Sequence, residues 1–171
     1  MPEHAGARRF VFVLLDQFTM LCFSSAVEAL RIANRMSGQP LYSWTLVGDG
    51  GGVAWCSAGI GFQLDSDLGE VTRDDTVLVC GGIDVAAATT KREARKGAIM
   101  GGLCTAGYTL AKAGLLDGKR ATIHWENQDS FIEEFEDVTL TKSVFVIDGN
   151  RITTAGGTAS IDLMLKIIAD E

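Results

Sequence analysis

The segment that decides the fold is Ala98-Ile99-Met100-Gly101-Gly102-Leu103-Cys104-Thr105-Ala106-Gly107-Tyr108-Thr109-Leu110-Ala111. A short apolar run breaks at two glycines, and apolar residues recur with helical spacing after Cys104. This pattern predicts a strand, a tight turn and a helix, with the cysteine at the turn. Glycines suit such a crowded and strained turn, and the positive end of the helix dipole favours a thiolate or a bound anion there. The alternative is a buried structural cysteine after an ordinary turn.

The composition predicts one domain spanning residues 1–171, with a core large enough to need no disulfide or metal. A net charge of −7 disfavours direct contact of this chain with nucleic acid. The four cysteines are widely separated and form no C-x-x-C pair, so we expect no metal site and a reducing, cytoplasmic location. Neither a G-x-G-x-x-G nor a phosphate-loop motif occurs, so no cofactor is expected. The chain contains no apolar run of ~18 residues, so we expect no contact with a membrane.

Apolar runs alternate with helical patterns along the chain. The first run, Phe10–Leu15, has the continuous apolar character of a strand buried on both faces of a parallel sheet. A capping-box spacing between Ser25 and Glu28 predicts that a helix begins there. The expected architecture is a three-layer, doubly wound, flavodoxin-like α/β sandwich with a mostly parallel sheet. A meander over 53–64 and a hairpin around Asp148-Gly149 complete it.

Four predicted strands end in residues that could bind a ligand or take part in catalysis. They deliver Asp16–Phe18, Gly81-Gly82, Cys104 and His124. Because ligands bind outside the carboxyl ends of the strands in such sheets, we expect these residues to meet at one site.

Cys104 and His124 form a candidate pair of nucleophile and base. Glu126 either orients the imidazole of His124 or lies in the first turn of the next helix, where an acid favours the dipole. Gly81-Gly82 either leave N–H groups free for an anion or simply form a tight turn. Two interpretations, pocket lining and core packing, are also open for Phe18, Met20 and Trp125.

Several segments together resemble one family. They are Gly102–Thr105, Leu110–Trp125, Phe18–Leu21, Ser24–Arg31, Ala33–Arg35, Leu78–Gly82 and Thr154–Met164. The chain is similar over nearly its whole length to the PfpI-type, class I glutamine amidotransferase-like superfamily. It is most similar to the branch that forms the N-terminal domain of AraC-type transcriptional regulators.

The resemblance places Cys104 on the superfamily's nucleophile-elbow cysteine and His124 on its histidine partner. Enzymatic members such as isocyanide hydratase carry an acidic residue where this chain has Cys22. A neutral residue there cannot share a proton with the Cys104 thiol, so we expect no catalysis. Ala106 departs from the usual Thr-Gly after the cysteine. The crossover between Gly82 and Gly97 is also short for this branch. Either the protein has a real deletion there or the sequence omits residues between about Ala88 and Glu93, and we favour the second.

The resemblance therefore implies a non-enzymatic effector-binding and dimerisation domain, with DNA bound only through a further C-terminal helix-turn-helix domain. The expected effector is a small polar, nitrogenous metabolite. Two alternatives stay open: a cysteine hydrolase, amidotransferase or hydratase that uses Cys104 and His124 with Glu126, and a sensor of oxidation at Cys104. The expected ligand contacts are Cys104, Thr105, His124, Gly81, Gly82, Phe18, Met20, Cys22 and Trp125.

Overall fold

The computed structural model describes residues 6–48, 52–67, 71–81 and 98–171. Its strands, in chain order, are β1 (Arg8–Leu14), β2 (Tyr42–Gly48), β3 (Val53–Trp55), β4 (Gly61–Gln63), β5 (Ser66–Asp67), β6 (Thr76–Cys80), β7 (Ile99–Leu103), β8 (Arg120–Ala121), β9 (Thr139–Leu140), β10 (Phe145–Asp148) and β11 (Arg151–Thr154). Its helices are α1 (Met20–Ser37), α2 (Ala106–Lys112), α3 (Gln128–Glu134) and α4 (Ala159–Ala169), with a 3₁₀ turn at Trp125–Asn127 before α3.

The main sheet of the described chain has seven strands in the order β10-β11-β7-β6-β1-β2-β5. Every neighbouring pair is parallel except β10 and β11, which form an antiparallel hairpin. The continuous apolar run of β1 lies in the interior of this sheet, between β2 and β6, as its sequence predicts. The mixed α/β architecture, the mostly parallel sheet and the small hairpin are confirmed.

Side chains of β1 alternate between two cores, one on each face of the sheet. Phe10, Phe12 and Leu14 pack on one face with residues of α1 and α4, such as Leu30 and Leu163. On the opposite face Val11 and Val13 pack with residues of α2 and α3. Each fully buried large side chain of this kind contributes ~1.5–3 kcal/mol of transfer free energy. Helices on both faces of one sheet make three layers, as expected.

Helix α1 begins five residues earlier than the capping-box spacing predicts. Thr19 precedes its first residue, and the hydroxyl of Ser25 donates to the carbonyl of Cys22 at 3.3 Å, inside the helix. A Ser25 side chain bonded back to the helix cannot cap the helix start. The helix ends at Gly38, whose φ of 69° is the left-handed conformation of a helix C-terminus.

Two small sheets lie beside the main one. The predicted meander is an antiparallel pair of β3 and β4, and β8 pairs in parallel with β9. The pair of β3 and β4 is joined to the loop after β1, because the Gln17 N–H donates to the Trp55 carbonyl and the Ser57 N–H to the Phe18 carbonyl. This attachment fixes the loop that leads into α1.

The predicted crossover helix at 84–96, Gly82 and the expected gap between Ala88 and Glu93 all lie outside the described residues. None of the helices in the described ranges has the length and apolar character needed to cross a membrane.

Candidate functional site

Cys104 occupies a strained turn between β7 and α2. Its φ is +60°, and among the described residues other than glycine only Gln17 shares a positive φ. Left-handed backbone is costly for a residue with a Cβ, so it persists only where the surroundings enforce it. The predicted elbow is therefore present.

Two glycines allow the elbow to pack tightly. A Cβ on Gly102 would lie 2.7 Å from the carbonyl carbon of Ala106, and one on Gly81 would lie 2.4 Å from the Ala106 nitrogen. Only glycine lets the ends of β6 and β7 approach the first turn of α2 so closely. The N–H of Gly81 donates to the Leu103 carbonyl at 3.4 Å, so it is not free for an anion, and of the two alternatives for this residue the tight turn fits. Gly82 lies outside the described residues.

The last strand of the sheet holds the backbone of the elbow. The N–H of Cys104 donates to the hydroxyl oxygen of Thr154 at 3.1 Å, and both residues are buried. Because β11 lies beside β7, its carboxyl end reaches the same edge of the sheet as the cysteine. This contact fixes the turn to the neighbouring strand.

His124 and Cys104 meet across Gly156. The position of a Cβ on Gly156 would lie 2.6 Å from Cδ2 of His124 and 3.0 Å from Sγ of Cys104. The φ of this glycine is +97°, so it presents bare backbone to both side chains. The structure therefore brings together the two residues that the sequence pairs as nucleophile and base. The expectation that a strand of the main sheet delivers His124 is wrong, because β8 pairs with β9 in a separate small sheet.

Glu126 does not complete a triad. Nδ1 of His124 accepts the backbone N–H of Glu126 at 3.4 Å, whereas the Glu126 carboxylate lies 3.7 Å from Nδ1 and is 63% exposed. A carboxylate orients an imidazole by accepting a hydrogen bond from an N–H at that nitrogen, but here Nδ1 is itself the acceptor. Glu126 lies in the first turn of the 3₁₀ helix, the alternative position that the sequence left open.

The thiol of Cys22 lies against the thiol of Cys104. A hydrogen bond from Cys22, the charge of His124, the N–H of Thr105 and the hydroxyl of Thr19 lower the pKa of Cys104 to about 6, against an opposing effect of burial. The same hydrogen bond and burial raise the pKa of Cys22 above its ordinary value. Cys22 therefore influences the Cys104 thiol although it is not an acid, because a thiol can donate a hydrogen bond to a neighbouring thiolate without being charged.

The remaining predicted contacts divide between core and surface. Phe18 is fully buried, with its ring packed edge-on against Phe23 and Phe62, so it belongs to the core rather than to a pocket wall. Met20, at the start of α1, is half-buried. Trp125 is 69% exposed, and its ring centre lies 5.6 Å from that of His124. Of these aromatic side chains, only Trp125 is accessible to a ligand.

Sequence reasoning missed Thr19, Thr154 and Gly156. The Ala155–Thr158 segment predicts only the start of a helix, and Thr154 is an ordinary strand residue. Strand order could have found Thr154 and Gly156, because β11 lies beside β7 and brings its carboxyl end to Cys104. Thr19 follows β1, which is not a neighbour of β7, so strand adjacency does not reveal it. The order of strands is not readable from one sequence.

In the residues that the structure describes, no group of three His, Cys, Asp or Glu side chains is arranged to hold a metal ion. The groups that the site presents for chemistry are the thiol of Cys104 with its lowered pKa, the adjacent imidazole of His124 and the thiol of Cys22. Beside these groups, Thr105 is half-buried and the indole of Trp125 is exposed.

Comparison with known proteins identifies the family of this chain. The DJ-1/PfpI family model matches residues 8–170. The HTH-type transcriptional regulator CdhR of Pseudomonas aeruginosa is 43% identical over 167 residues, which is 94% of this chain and 49% of CdhR. The regulator GbdR of the same species is 38% identical over 177 residues, 99% of this chain and 48% of GbdR. The chain thus spans about half the length of these relatives.

A shorter match and a solved structure add to this picture. The isonitrile hydratase of Pseudomonas putida is 42% identical over 65 residues, 38% of this chain and 28% of the enzyme. The crystal structure of an AraC family transcriptional regulator from Pseudomonas putida superposes with a TM-score of 0.82 at 25% identity, covering 95% of this chain and 91% of that one. These findings confirm the resemblance to the PfpI-type domain of AraC-type regulators. With a family model that matches nearly its whole length, the chain belongs to the DJ-1/PfpI family.

Proposed function

We propose that this chain is the effector-sensing domain of an AraC-type transcriptional regulator and not an enzyme. The observation that carries the proposal is that the regulators CdhR and GbdR match 94% and 99% of the chain. The geometry supports it, because in the part of the chain that the structure describes the carboxylate beside His124, that of Glu126, lies 3.7 Å from Nδ1, too far for a hydrogen bond that would orient the imidazole as a base. We further propose that the protein works in the cytoplasm.

The proposed effector is a small polar metabolite with a cationic nitrogen, bound over Cys104. The exposed ring of Trp125 offers a π face, and the Glu126 carboxylate near His124 supplies a negative charge. A cation over an indole gains ~0.5–2 kcal/mol, depending on how far it is desolvated. Thr105, Met20 and His124 complete the proposed contacts, with Cys104 and Cys22 beneath them.

The proposal is tested with the chain itself by isothermal titration with arginine, carnitine and glycine betaine. We expect at least one to bind, and Trp125→Ala to weaken that binding about 2- to 30-fold. Because Trp125 is exposed, the variant keeps the wild-type melting temperature. The matched control is Trp55→Ala, which removes an indole that is 52% exposed on β3. Equal losses in both variants, or no binding from the panel, would contradict the proposal.

We also propose that the chain forms a homodimer and that DNA is bound by a further helix-turn-helix domain. The support is the name of the relatives, HTH-type regulators of about twice the length of this chain. Effector binding acts by favouring one of two dimer arrangements, which requires different affinities for the two. Light scattering of the chain with and without effector measures the dimer, and the coding sequence beyond codon 171 tests for the DNA-binding domain.

An enzymatic function is the second candidate, favoured by the lowered pKa of Cys104 and by the partial match to isonitrile hydratase. This candidate predicts turnover of an isonitrile or an amide that Cys104→Ala abolishes. The sensing proposal predicts no turnover above the Cys104→Ala background. The assay therefore separates the two functions directly.

A further inference from the structure

The thiols of Cys22 and Cys104 both lie beside the turn at Gly156 and Gly157. The sulfur of Cys22 lies 3.6 Å from the Gly157 carbonyl oxygen, and the sulfur of Cys104 lies against the adjacent Gly156. Cys22 follows Thr19 by one helical turn, and the hydroxyl of Thr19 also reaches Cys104. The start of α1 and the elbow after β7 thus place both sulfurs against the same glycine turn.

The other two cysteines have different surroundings. Cys56 and Cys80 are completely enclosed, whereas Cys104 keeps 4% of its surface accessible beside the partly exposed His124. Cys80, at the end of β6, has no surface open to an oxidant. A small oxidant therefore meets one reactive sulfur, Cys104, with one thiol directly behind it.

We propose that Cys22 is the resolving thiol of Cys104, so that a hydroperoxide closes a reversible Cys22–Cys104 disulfide inside this domain. The inference needs only the two thiols and is independent of any effector. It assigns a function to the cysteine that replaces the acidic residue expected from the enzymatic relatives.

The chemistry balances in two steps. The Cys104 thiolate attacks one oxygen of the hydroperoxide, the O–O bond breaks, and the leaving alkoxide or hydroxide takes up a proton, leaving a sulfenic acid. The sulfur of Cys22 then attacks the Cys104 sulfur, the S–O bond breaks, and hydroxide leaves as water with the Cys22 proton. In sum, two thiols lose two electrons and two protons, and the hydroperoxide becomes an alcohol and water.

Trypsin provides a direct readout because each cysteine lies in a different peptide. Cys22 lies in residues 10–31, Cys56 in 36–73, Cys80 in 74–91 and Cys104 in 97–112. The reduced chain is treated with one equivalent of hydrogen peroxide, blocked with iodoacetamide, digested without reductant and analysed by mass spectrometry. We expect peptides 10–31 and 97–112 to be linked, with both thiols recovered after dithiothreitol.

Variants make the inference falsifiable. Cys22→Ser is expected to give no link and to leave a sulfenic acid on Cys104 that dimedone traps, whereas Cys56→Ser is expected to behave like the wild type. Cys104→Ser is expected to lose thiols roughly 30-fold more slowly near neutral pH, because its remaining thiols are almost fully protonated. Far-ultraviolet circular dichroism verifies that each variant is folded.

Three results would overturn the inference. One is a wild-type protein in which Cys104 proceeds to sulfinic acid while Cys22 remains a free thiol. Another is a link that involves peptide 36–73 or 74–91. The last is a link between chains, seen as a covalent dimer on a non-reducing gel. None of these results bears on effector binding, so failure here and failure of the sensing proposal are distinguishable.

Discussion

Replacement of Gly156 by alanine tests the geometry of the site most directly. The new methyl group would lie 2.6 Å from Cδ2 of His124 and 3.0 Å from the sulfur of Cys104, so it must push these side chains apart. The φ of +97° adds backbone strain, because a side chain disfavours this conformation. The strain costs ~1–3 kcal/mol and the overpacking a further ~1–3 kcal/mol. We expect Gly156→Ala to lower the free energy of unfolding by about 2–6 kcal/mol.

The neighbouring glycine supplies a matched control. Gly157 also has a positive φ, +58°, but a Cβ there would meet no atom within 4 Å. Gly157→Ala therefore introduces strain without a clash, and we expect a loss of only ~1–2 kcal/mol. The assay is urea denaturation followed by circular dichroism, with the midpoint compared at constant slope.

A second measurement on the same two variants reports on the site itself. The rate of alkylation of Cys104 by iodoacetamide follows the thiolate fraction, and separation from His124 removes a charge that lowers the thiol pKa. We expect the midpoint of the pH profile to move upward in Gly156→Ala and to stay in place in Gly157→Ala. Equal loss of stability in the two variants, together with identical pH profiles, would refute the proposed contact between the glycine turn and the pair of Cys104 and His124.

Further predictions concern the elbow and its support. In the wild type, the alkylation rate of Cys104 is expected to be half-maximal near pH 6 and to fall about tenfold per pH unit below that value, because the thiolate is protonated. We expect Thr19→Val to move this midpoint upward, because the variant removes a hydroxyl that lowers the thiol pKa. A midpoint that the variant leaves unchanged would contradict the hydroxyl contact. Thr154→Val leaves the buried Cys104 N–H without its acceptor and is expected to lower the free energy of unfolding by ~1–3 kcal/mol in urea denaturation, while a loss below about 0.5 kcal/mol would argue against that hydrogen bond. Gly102→Ala places a methyl group 2.7 Å from the backbone of α2 and is expected to lower the free energy of unfolding by at least ~3 kcal/mol. The control is Gly118→Ala, in open space at a positive φ, which is expected to lower it by only ~1 kcal/mol. Comparable melting temperatures for the two variants would show that the elbow can expand.

The sequence by itself determined the layers of this protein and the identity of its central residues. Uninterrupted apolar runs such as that of β1 indicate strands covered on both faces, and glycines beside Cys104 indicate a turn too crowded for a Cβ. Both are local patterns, because burial and backbone crowding restrict residue types directly. The sequence paired Cys104 with His124 by the rule that parallel strands end at a common edge. The two side chains do meet, but β8, the strand before His124, lies with β9 in a separate small sheet, so that rule is not the reason for their contact.

The tertiary structure alone decided which neighbours surround the sulfur. Thr19, Cys22, Thr154 and Gly156 come from segments distant in sequence, and strand order and helix position bring them to Cys104. Likewise, Glu126 lies on the exposed side of His124 because the 3₁₀ turn directs it outward, and Ser25 does not start α1 because its hydroxyl bonds within the helix. A pKa depends on distances of a few ångströms between such groups, and one sequence contains residue types and spacings but no such distances.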